Sequence, residues 1–210
     1  MKKVFALLAV GLGLAVSASA QDFGFKKGDV LLEGSVGFSV EDNKNTEEKV
    51  TSFNFVPKAG YFISDKVAIG LGLGFVSTKD EDYSTGGSTD KTNSFGIGVF
   101  GRYYFLEIGK RFKTYGEAGL GYSYIKSETE VAGNTVEGPK TNTIDFNVGV
   151  GANYFITERL ALNVGLTNLI NIGSSKVDAS GAKATTNYGV QLGSINNIFD
   201  MATFGLAYKF

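Results

Sequence analysis

The stretch VAIGLGLGF at positions 67–75 decides the fold. Bulky apolar residues occupy every second position, and alanine or glycine occupies the positions between them. Successive side chains of a β-strand point to opposite faces, so the stretch predicts a strand with one apolar face and one face of small residues. A soluble barrel keeps its bulky apolar side chains inside, and glycine cannot fill such an interior. The apolar face is therefore expected to contact lipid.

The same alternation recurs along the chain. One face is bulky and apolar and the other is small or polar in six further segments: 30–40, 52–61, 94–105, 117–124, 143–154 and 160–167. A tilted membrane strand needs about 9–11 residues, and these segments supply roughly that length. Only a closed barrel leaves no unpaired backbone edge of a sheet in hydrocarbon.

The end of the chain decides the strand count. Residues 188–192 and 201–210 both alternate, and counting them separately gives nine strands. Bacterial single-chain barrels have an even number of strands. The sequence therefore predicts one long last strand over 186–210, with a bulge or kink near Asn196 and Asn197. The predicted fold is an all-β, eight-stranded antiparallel up-and-down transmembrane β-barrel.

The connections between segments indicate the orientation. Three are short (63–66, 106–111 and 156–158), and four are long and polar (41–50, 78–92, 127–141 and 173–186). Outer-membrane barrels have short periplasmic turns and longer outer loops. Both ends of the barrel domain are then expected on the periplasmic side.

The first twenty residues have the pattern of a signal peptide. Lys2 and Lys3 precede an apolar run at 4–16, and Ala18-Ser19-Ala20 supplies the small-x-small cleavage pattern. The run is too short for a transmembrane helix, which needs about 20 apolar residues. We expect a signal peptide at 1–20, a barrel domain at 21–210, and export to the outer membrane of a Gram-negative cell.

The composition argues against catalysis. The sequence contains no histidine and no cysteine, so a Ser-His-Asp arrangement and disulfides are excluded. Acidic pairs such as Glu41-Asp42 lie in predicted loops without EF-hand spacing, and Gly70 to Gly74 lack the lysine of a phosphate loop. A formal net charge of −1 gives no footprint for nucleic acid. We expect no enzyme, cofactor or metal site.

Charged residues inside the first six segments all fall on the small, polar face: Glu33, Lys58, Arg102, Glu117 and Asp145. Glu33 is expected beside Lys58 on adjacent strands, and Arg102 beside Glu117. All five are predicted to form an interior ionic network. Counted from the periplasmic ends, Glu33, Lys58, Arg102 and Glu117 lie about three to five residues up at ~3.3 Å per residue, which predicts that these four occupy one layer.

The interior of an eight-stranded barrel is only wide enough for side chains. With Phe100 and Tyr104 packed against glycines, this layer should block continuous water flow. The sequence therefore predicts a plugged barrel.

Aromatic residues suggest two further features. Alternation at the end of the chain predicts a C-terminal assembly signal at Phe204, Leu206, Tyr208 and Phe210. An aromatic girdle at the headgroup level is expected from Tyr61, Tyr103, Tyr154 and Tyr208. Residues 61–69 also resemble 154–162, either as a repeat of hairpins or because similar turns converge on similar residues.

Several motifs carry a family resemblance: Gly60-Tyr61-Phe62, Gly70-x-Gly72-x-Gly74, Glu117-Ala-Gly-Leu-Gly-Tyr122 and the terminal FGLAYKF. With them the chain resembles the outer membrane protein β-barrel domain family. That family is similar to small OmpA-like and OmpX-like barrels, and the motifs are similar to those of members from Bacteroidetes. The resemblance implies partners in outer-membrane lipid, lipopolysaccharide and the barrel assembly machinery, and no assigned activity.

Three functions stay open. The first is a structural or surface-interaction protein with an unknown surface ligand, serving envelope integrity, adhesion or resistance. The second is a narrow pore or a side route for an apolar ligand. The third is a secreted lipocalin-like binding barrel, which the outward apolar faces disfavour.

Overall fold

The computed structural model describes residues 23–84, 87–131, 133–190 and 203–210. The predicted signal peptide lies outside the described residues. The regular structure of the described part is β1 (Val30–Asn43), β2 (Glu48–Ser64), β3 (Val67–Asp82), β4 (Ser88–Ile108), β5 (Phe112–Val131), β6 (Asn134–Glu137), β7 (Thr141–Phe155), β8 (Leu160–Val177), β9 (Thr185–Val190) and β10 (Thr203–Lys209). In the same residues, no helix is long and apolar enough to cross a membrane.

These strands form one closed antiparallel barrel. Neighbours in sequence pair with each other from β1 to β5, β5 pairs with β7, and β7 pairs with β8. Strand β10 pairs with β8 on one side and with β1 on the other, which closes the barrel. The short β6 extends β5 as a hairpin, and β9 and β10 both pair with β8. The described strands therefore occupy eight positions around the barrel, as predicted.

The last position differs from the predicted continuous strand. Ile170 of β8 pairs with Val190, and Gly165 pairs with Thr203. Five residue steps on β8 thus correspond to thirteen steps on its partner, so eight extra residues interrupt the last strand. The prediction of one long strand with a simple kink is wrong in this respect, and its kink site at Asn196 and Asn197 lies outside the described residues. Two register shifts between β7 and β8 occur at the same level, where β8 carries the extra residues Leu166 and Leu169.

The two faces follow the predicted alternation. Val36 and Phe38 on the outer face are 67% and 70% exposed, although both are strongly apolar. Phe62 and Arg102 on the inner face are almost completely buried. The bulky apolar surface of the protein therefore faces outward, as a lipid-facing barrel requires.

The long polar segments are mostly strand and not loop, which corrects the sequence-based prediction. Strand β3 continues to Asp82 and β4 begins at Ser88, and β6 lies inside the segment expected to be a loop at 127–141. Antiparallel pairing continues through these residues, for example between Glu48 and Asp82. Hairpins can extend above the membrane because backbone pairing does not require apolar side chains, and cross-strand pairs of threonine and opposite charges stabilise the extension.

The core lies at the end of the barrel with the short turns. It consists of inward side chains and of residues that precede β1: Phe25, Leu31, Phe62, Ala68, Tyr104, Tyr115, Phe155, Ala161 and Ala207. The opposite half of the interior is lined largely by glycine and short polar side chains.

Candidate functional site

Arg102 spans the interior just above the core. Its guanidinium donates to Glu33 through Nη1 (2.8 Å to Oε2) and Nη2 (3.0 Å to Oε1). It donates to Glu117 through Nε (2.9 Å) and Nη2 (2.5 Å), both to Oε2. The Arg102 side chain is 1% exposed. A buried guanidinium is tolerated when its planar fork of donors is matched by carboxylates, as it is here.

Lys58 completes this charged layer from another wall. Its ammonium donates to Oε1 of Glu117 at 2.6 Å. The backbone register places Glu33 opposite Lys58 and Arg102 opposite Glu117, as the sequence predicted. The ion pair of Lys58, however, is formed with Glu117 across the lumen. Two cations and two carboxylates therefore balance each other in one layer.

Asp145 does not belong to that layer. It lies opposite Gly121 of β5 and Gly173 of β8, and it accepts a hydrogen bond from Asn147 at 3.3 Å. Within the described residues it takes part in no ion pair. Sequence reasoning included it because it lies on the polar face of its strand, but its position along the strand sets it higher in the barrel.

Four neutral side chains complete the layer. The Tyr104 hydroxyl donates to Asn153 Oδ1 at 2.8 Å, and Asn163 Nδ2 lies 2.9 Å from Glu33 Oε2 and 2.8 Å from the Tyr115 hydroxyl. The guanidinium carbon of Arg102 lies 3.8 Å from the centroid of the Tyr115 ring. Tyr115, Asn153 and Asn163 were not predicted as members of the interior network. Their inward parity was the available signal, since Tyr115 precedes Glu117 by two residues.

An aromatic cluster seals the barrel beneath the charged layer. Phe25 stacks on Phe62, with ring centroids 4.3 Å apart and an interplanar angle of 13°. Its ring also lies 5.0 Å from that of Tyr104 and 5.1 Å from that of Phe155. Phe23 contacts Phe155 edge to face and lies under the Arg111 guanidinium. The segment before β1 thus inserts two rings into the end of the barrel that carries the short turns.

Backbone and side-chain hydrogen bonds fasten that segment. Gly28 donates to the Phe62 carbonyl and Phe62 donates to the Asp29 carbonyl, each at 2.9 Å. The Lys27 amide donates to Asp65 at 2.8 Å, and the Lys209 ammonium donates to the Gly24 carbonyl at 2.7 Å. The segment is therefore fixed to the short turn between β2 and β3 and to the last strand. Sequence reasoning missed it because the seven residues at 23–29 show no periodicity.

Phe100 packs against glycine above the charged layer. A Cβ placed on Gly70 would lie 2.6 Å from Cζ of the Phe100 ring, closer than real contacts allow. The Lys58 ammonium and the Arg102 guanidinium lie 5.4 and 5.5 Å from the centroid of the same ring. The Phe100 ring therefore occupies the space that a side chain at Gly70 would need. The sequence predicted that Phe100 packs against glycine but did not identify Gly70.

Two adjoining cavities of about 250 and 240 Å³ lie above the charged layer, on the side away from the aromatic cluster. Val56, Lys58, Glu117 and Asn147 line both of them. Glycines of β3, β4 and β5 form the wall of the second cavity. In the described residues, no group of three or more acidic side chains is placed to hold a metal ion. The interior is thus an open cavity above a closed layer of side chains.

The predicted surface aromatics lie on the outer face. Tyr61, Tyr103, Tyr154 and Tyr208 are between 37% and 53% exposed. The amide of Phe210 donates to the carbonyl of Val30 at 2.9 Å, next to the pairing of β10 with β1. The girdle and the C-terminal assembly signal stay predictions, with these positions as their geometric basis.

Fold and interior together define a small outer-membrane β-barrel. The family model described as "Outer membrane protein beta-barrel domain" matches residues 5–210, and the chain belongs to that family. No curated protein matches the sequence.

Solved structures of the same architecture include the outer membrane protein OprG from Pseudomonas aeruginosa. It is 14% identical, with 89% of this chain and 98% of that chain covered and a TM-score of 0.52. Outer Membrane Protein W of E. coli is 16% identical, with 88% and 99% covered and a TM-score of 0.46. These likenesses concern the fold. The family and the fold place the protein in the outer membrane.

Proposed function

We propose that this chain is a closed, non-catalytic barrel with a structural and surface-interaction role in the outer membrane, in envelope integrity, adhesion or resistance. The observation that carries the proposal is the placement of Arg102 between Glu33 and Glu117. This contact joins β4 to β1 across the lumen and also to the neighbouring strand β5. A cross-lumen bond of this kind leaves no room for an aqueous channel in an eight-stranded barrel.

The aromatic cluster supports the same proposal from below. Phe25 and Phe62 are at most 9% exposed, and they lie between the charged layer and the periplasm. A solute that enters the cavities above the charged layer would have to displace both the charged layer and the aromatic cluster to pass. The charged layer is an ionic barrier, which salt weakens, and the aromatic cluster is a hydrophobic one, which detergent weakens. Neither agent alone is therefore expected to open both barriers.

The outer end of the barrel supports a role at the cell surface. Strand β4 has 21 residues and β5 has 20, about twice the length that a membrane crossing requires. Strands β2 and β3 stay paired beside them up to Glu48 and Asp82. The four strands β2 to β5 therefore rise above the membrane as one paired sheet. An ordered sheet offers a partner a fixed surface, with less conformational entropy to lose than a flexible loop.

A solute-entry assay tests the proposal. Purified protein in liposomes should admit neither arabinose nor glycine, while a general porin in parallel liposomes admits both and causes swelling. Swelling at the porin's rate would favour the second candidate, a narrow pore, and would contradict the closed barrel. Fractionation with the outer membrane and heat-modifiable migration on gels are expected in either case.

A further inference from the structure

A row of glycines separates two charged residues on the inner face of the barrel. Lys58 of β2 pairs with Gly72, Gly72 with Gly98, Gly98 with Gly121, and Gly121 with Asp145 of β7. Strands β3, β4 and β5 therefore carry no side chain at this level. Side chains normally fill the interior of an eight-stranded barrel, so the row accounts for the cavity of about 240 Å³ above the charged layer.

Two polar side chains lie along the glycine wall of this cavity. A Cβ placed on Gly121 would lie 2.9 Å from Oδ1 of Asp145, and one placed on Gly119 would lie 3.1 Å from Oδ1 of Asn147. Both side chains thus lie over glycines of β5 and leave the centre of the cavity open. With the adjoining cavity of about 250 Å³, the space reaches the size of a small-molecule site, ~300–1,000 Å³.

Asp145 lies beside this space without a counter-ion. Within the described strands its side chain takes part in no ion pair and accepts a hydrogen bond from Asn147 at 3.3 Å. Glu117 also borders the cavity, but Lys58 and Arg102 neutralise it. A charge inside a barrel is less screened than a charge in bulk water, so the Asp145 carboxylate attracts a cation more strongly than an exposed one does. The cavity therefore presents one uncompensated negative charge.

The inner face above the cavity carries charge of the same sign. On the described strands, the inward positions at this height hold no lysine or arginine, and they hold the carboxylates of Glu41, Glu48, Asp80, Asp82 and Asp90. Asp80 and Asp90 are direct cross-strand neighbours, and like charges in that position repel each other. A cleft lined by one sign of charge raises the local concentration of ligands of the opposite sign. The outer mouth therefore favours the entry of cations.

We propose that the cavity binds a primary organic amine with a compact apolar body, whose ammonium group lies on Asp145. An ammonium group has three donors, and Asp145 and Asn147 offer acceptor oxygens two residues apart on one face of β7. The apolar body packs against the glycine backbone and Val56. A second cationic group would meet the ammonium group of Lys58, so a monoamine suits the cavity and a polyamine does not. Binding of this kind adds a ligand to the proposed function and does not require the barrel to be closed.

The test uses the mature chain in micelles of an uncharged detergent and titrates it with benzylamine, which is protonated at neutral pH. Backbone amide NMR spectra are the readout, because local shifts distinguish binding in the cavity from partition into the micelle. We expect saturable shifts at Gly119, Gly121 and Asn147. Benzyl alcohol and benzoate carry the same ring without the positive charge, and they should produce no saturable shift at these amides.

Four variants locate the binding site. D145N keeps the size of the side chain and removes its charge, so it should weaken benzylamine binding about tenfold or more. Gly74→Leu should abolish binding, because nothing lies within 4 Å of a Cβ placed on Gly74 and the new side chain would fill the cavity. Asp178→Asn, on an exposed turn, is the matched control and should bind as the wild type does. D80N/D90N should weaken binding less than about threefold, because those exposed charges act through solvent.

Heat-modifiable gel migration verifies that each variant is folded. Equal affinity of D145N and the wild type would overturn the proposal, as would a response to benzyl alcohol equal to that to benzylamine. A larger loss in D80N/D90N than in D145N would place binding at the rim and would also overturn it. A conducting wild-type barrel would refute the closed barrel but would leave these affinities unchanged, so the two failures are distinguishable.

Discussion

Phe25 lies stacked on Phe62 at the end of the barrel that carries the short turns, with 4.3 Å between ring centroids. Phe25 belongs to the segment before β1, whereas Phe62 lies near the end of β2. The segment that precedes β1 therefore helps to seal the barrel. Because the Gly28 and Phe62 amides bond the two segments reciprocally, the stacking is fixed by the backbone as well as by the rings.

Shortening Phe25 tests this seal. Phe25→Ala removes a buried ring with three aromatic neighbours, and we expect a loss of ~3–5 kcal/mol in the free energy of unfolding. Phe38→Ala is the matched control, because that ring is 70% exposed on the lipid face and contributes no internal packing. Urea unfolding in detergent micelles measures both. Similar losses in the two variants would mean that the cluster does not stabilise the barrel.

Removing Arg102 tests the charged layer. Arg102→Ala leaves Glu33 and part of Glu117 without their cation, and we expect a cost of ~3–5 kcal/mol if water stays out. The double variant R102M/E33Q should recover part of that loss, because it removes a charge together with its partner. Lys183→Ala on an exposed turn is the control, with an expected change within ~0.5 kcal/mol. An unchanged unfolding midpoint in Arg102→Ala would show that the charged layer does not stabilise the barrel.

Two glycines on one strand give a matched test of packing. Gly70→Ala would push a methyl group into the buried Phe100 ring and the Ala59 carbonyl, at an expected cost of ~1–3 kcal/mol. Gly74→Ala lies on the same inner face with nothing within 4 Å, so it should be neutral or slightly stabilising. Thermal unfolding of both variants measures the difference. Equal effects would show that Phe100 does not need the space at Gly70.

Limited proteolysis tests the strand extensions. Trypsin added to intact cells should cut first at the turn lysines Lys44, Lys140 and Lys183. It should cut later at Lys79 and Lys91, whose backbone is paired on both sides. A protease needs an extended, unpaired backbone, which explains the order. Early cleavage at Lys79 or Lys91 would show that these segments are loops. Cleavage at Lys66 in intact cells would show that the orientation is the reverse of the one predicted.

Sequence alternation predicts most of the barrel because parity is a local property. Residues such as Phe38 and Arg102 can be assigned to the outer and inner faces from their neighbours alone. Pairing between adjacent strands, as for Arg102 and Glu117, follows from counting residues from the short turns. This part of the fold needs no tertiary information.

Contacts across the lumen could not be predicted in the same way. The bond of Lys58 to Glu117 depends on the stagger of β2 against β5, which strand lengths do not reveal. Insertion of Phe25 depends on a segment with no period, and the interrupted last strand depends on where β8 takes up extra residues. The polar residues at 78–92 predict a loop from composition alone, but backbone pairing continues through most of this segment because pairing does not depend on side-chain polarity.

Single-channel recording of the wild type beside F25A/R102A tests the closed barrel most directly. The wild type should show no steady current in planar bilayers, because two layers of different chemistry close the lumen. The double variant removes the central side chain of each layer and should show resolved conductance steps. A large, steady conductance from the wild type would contradict the account.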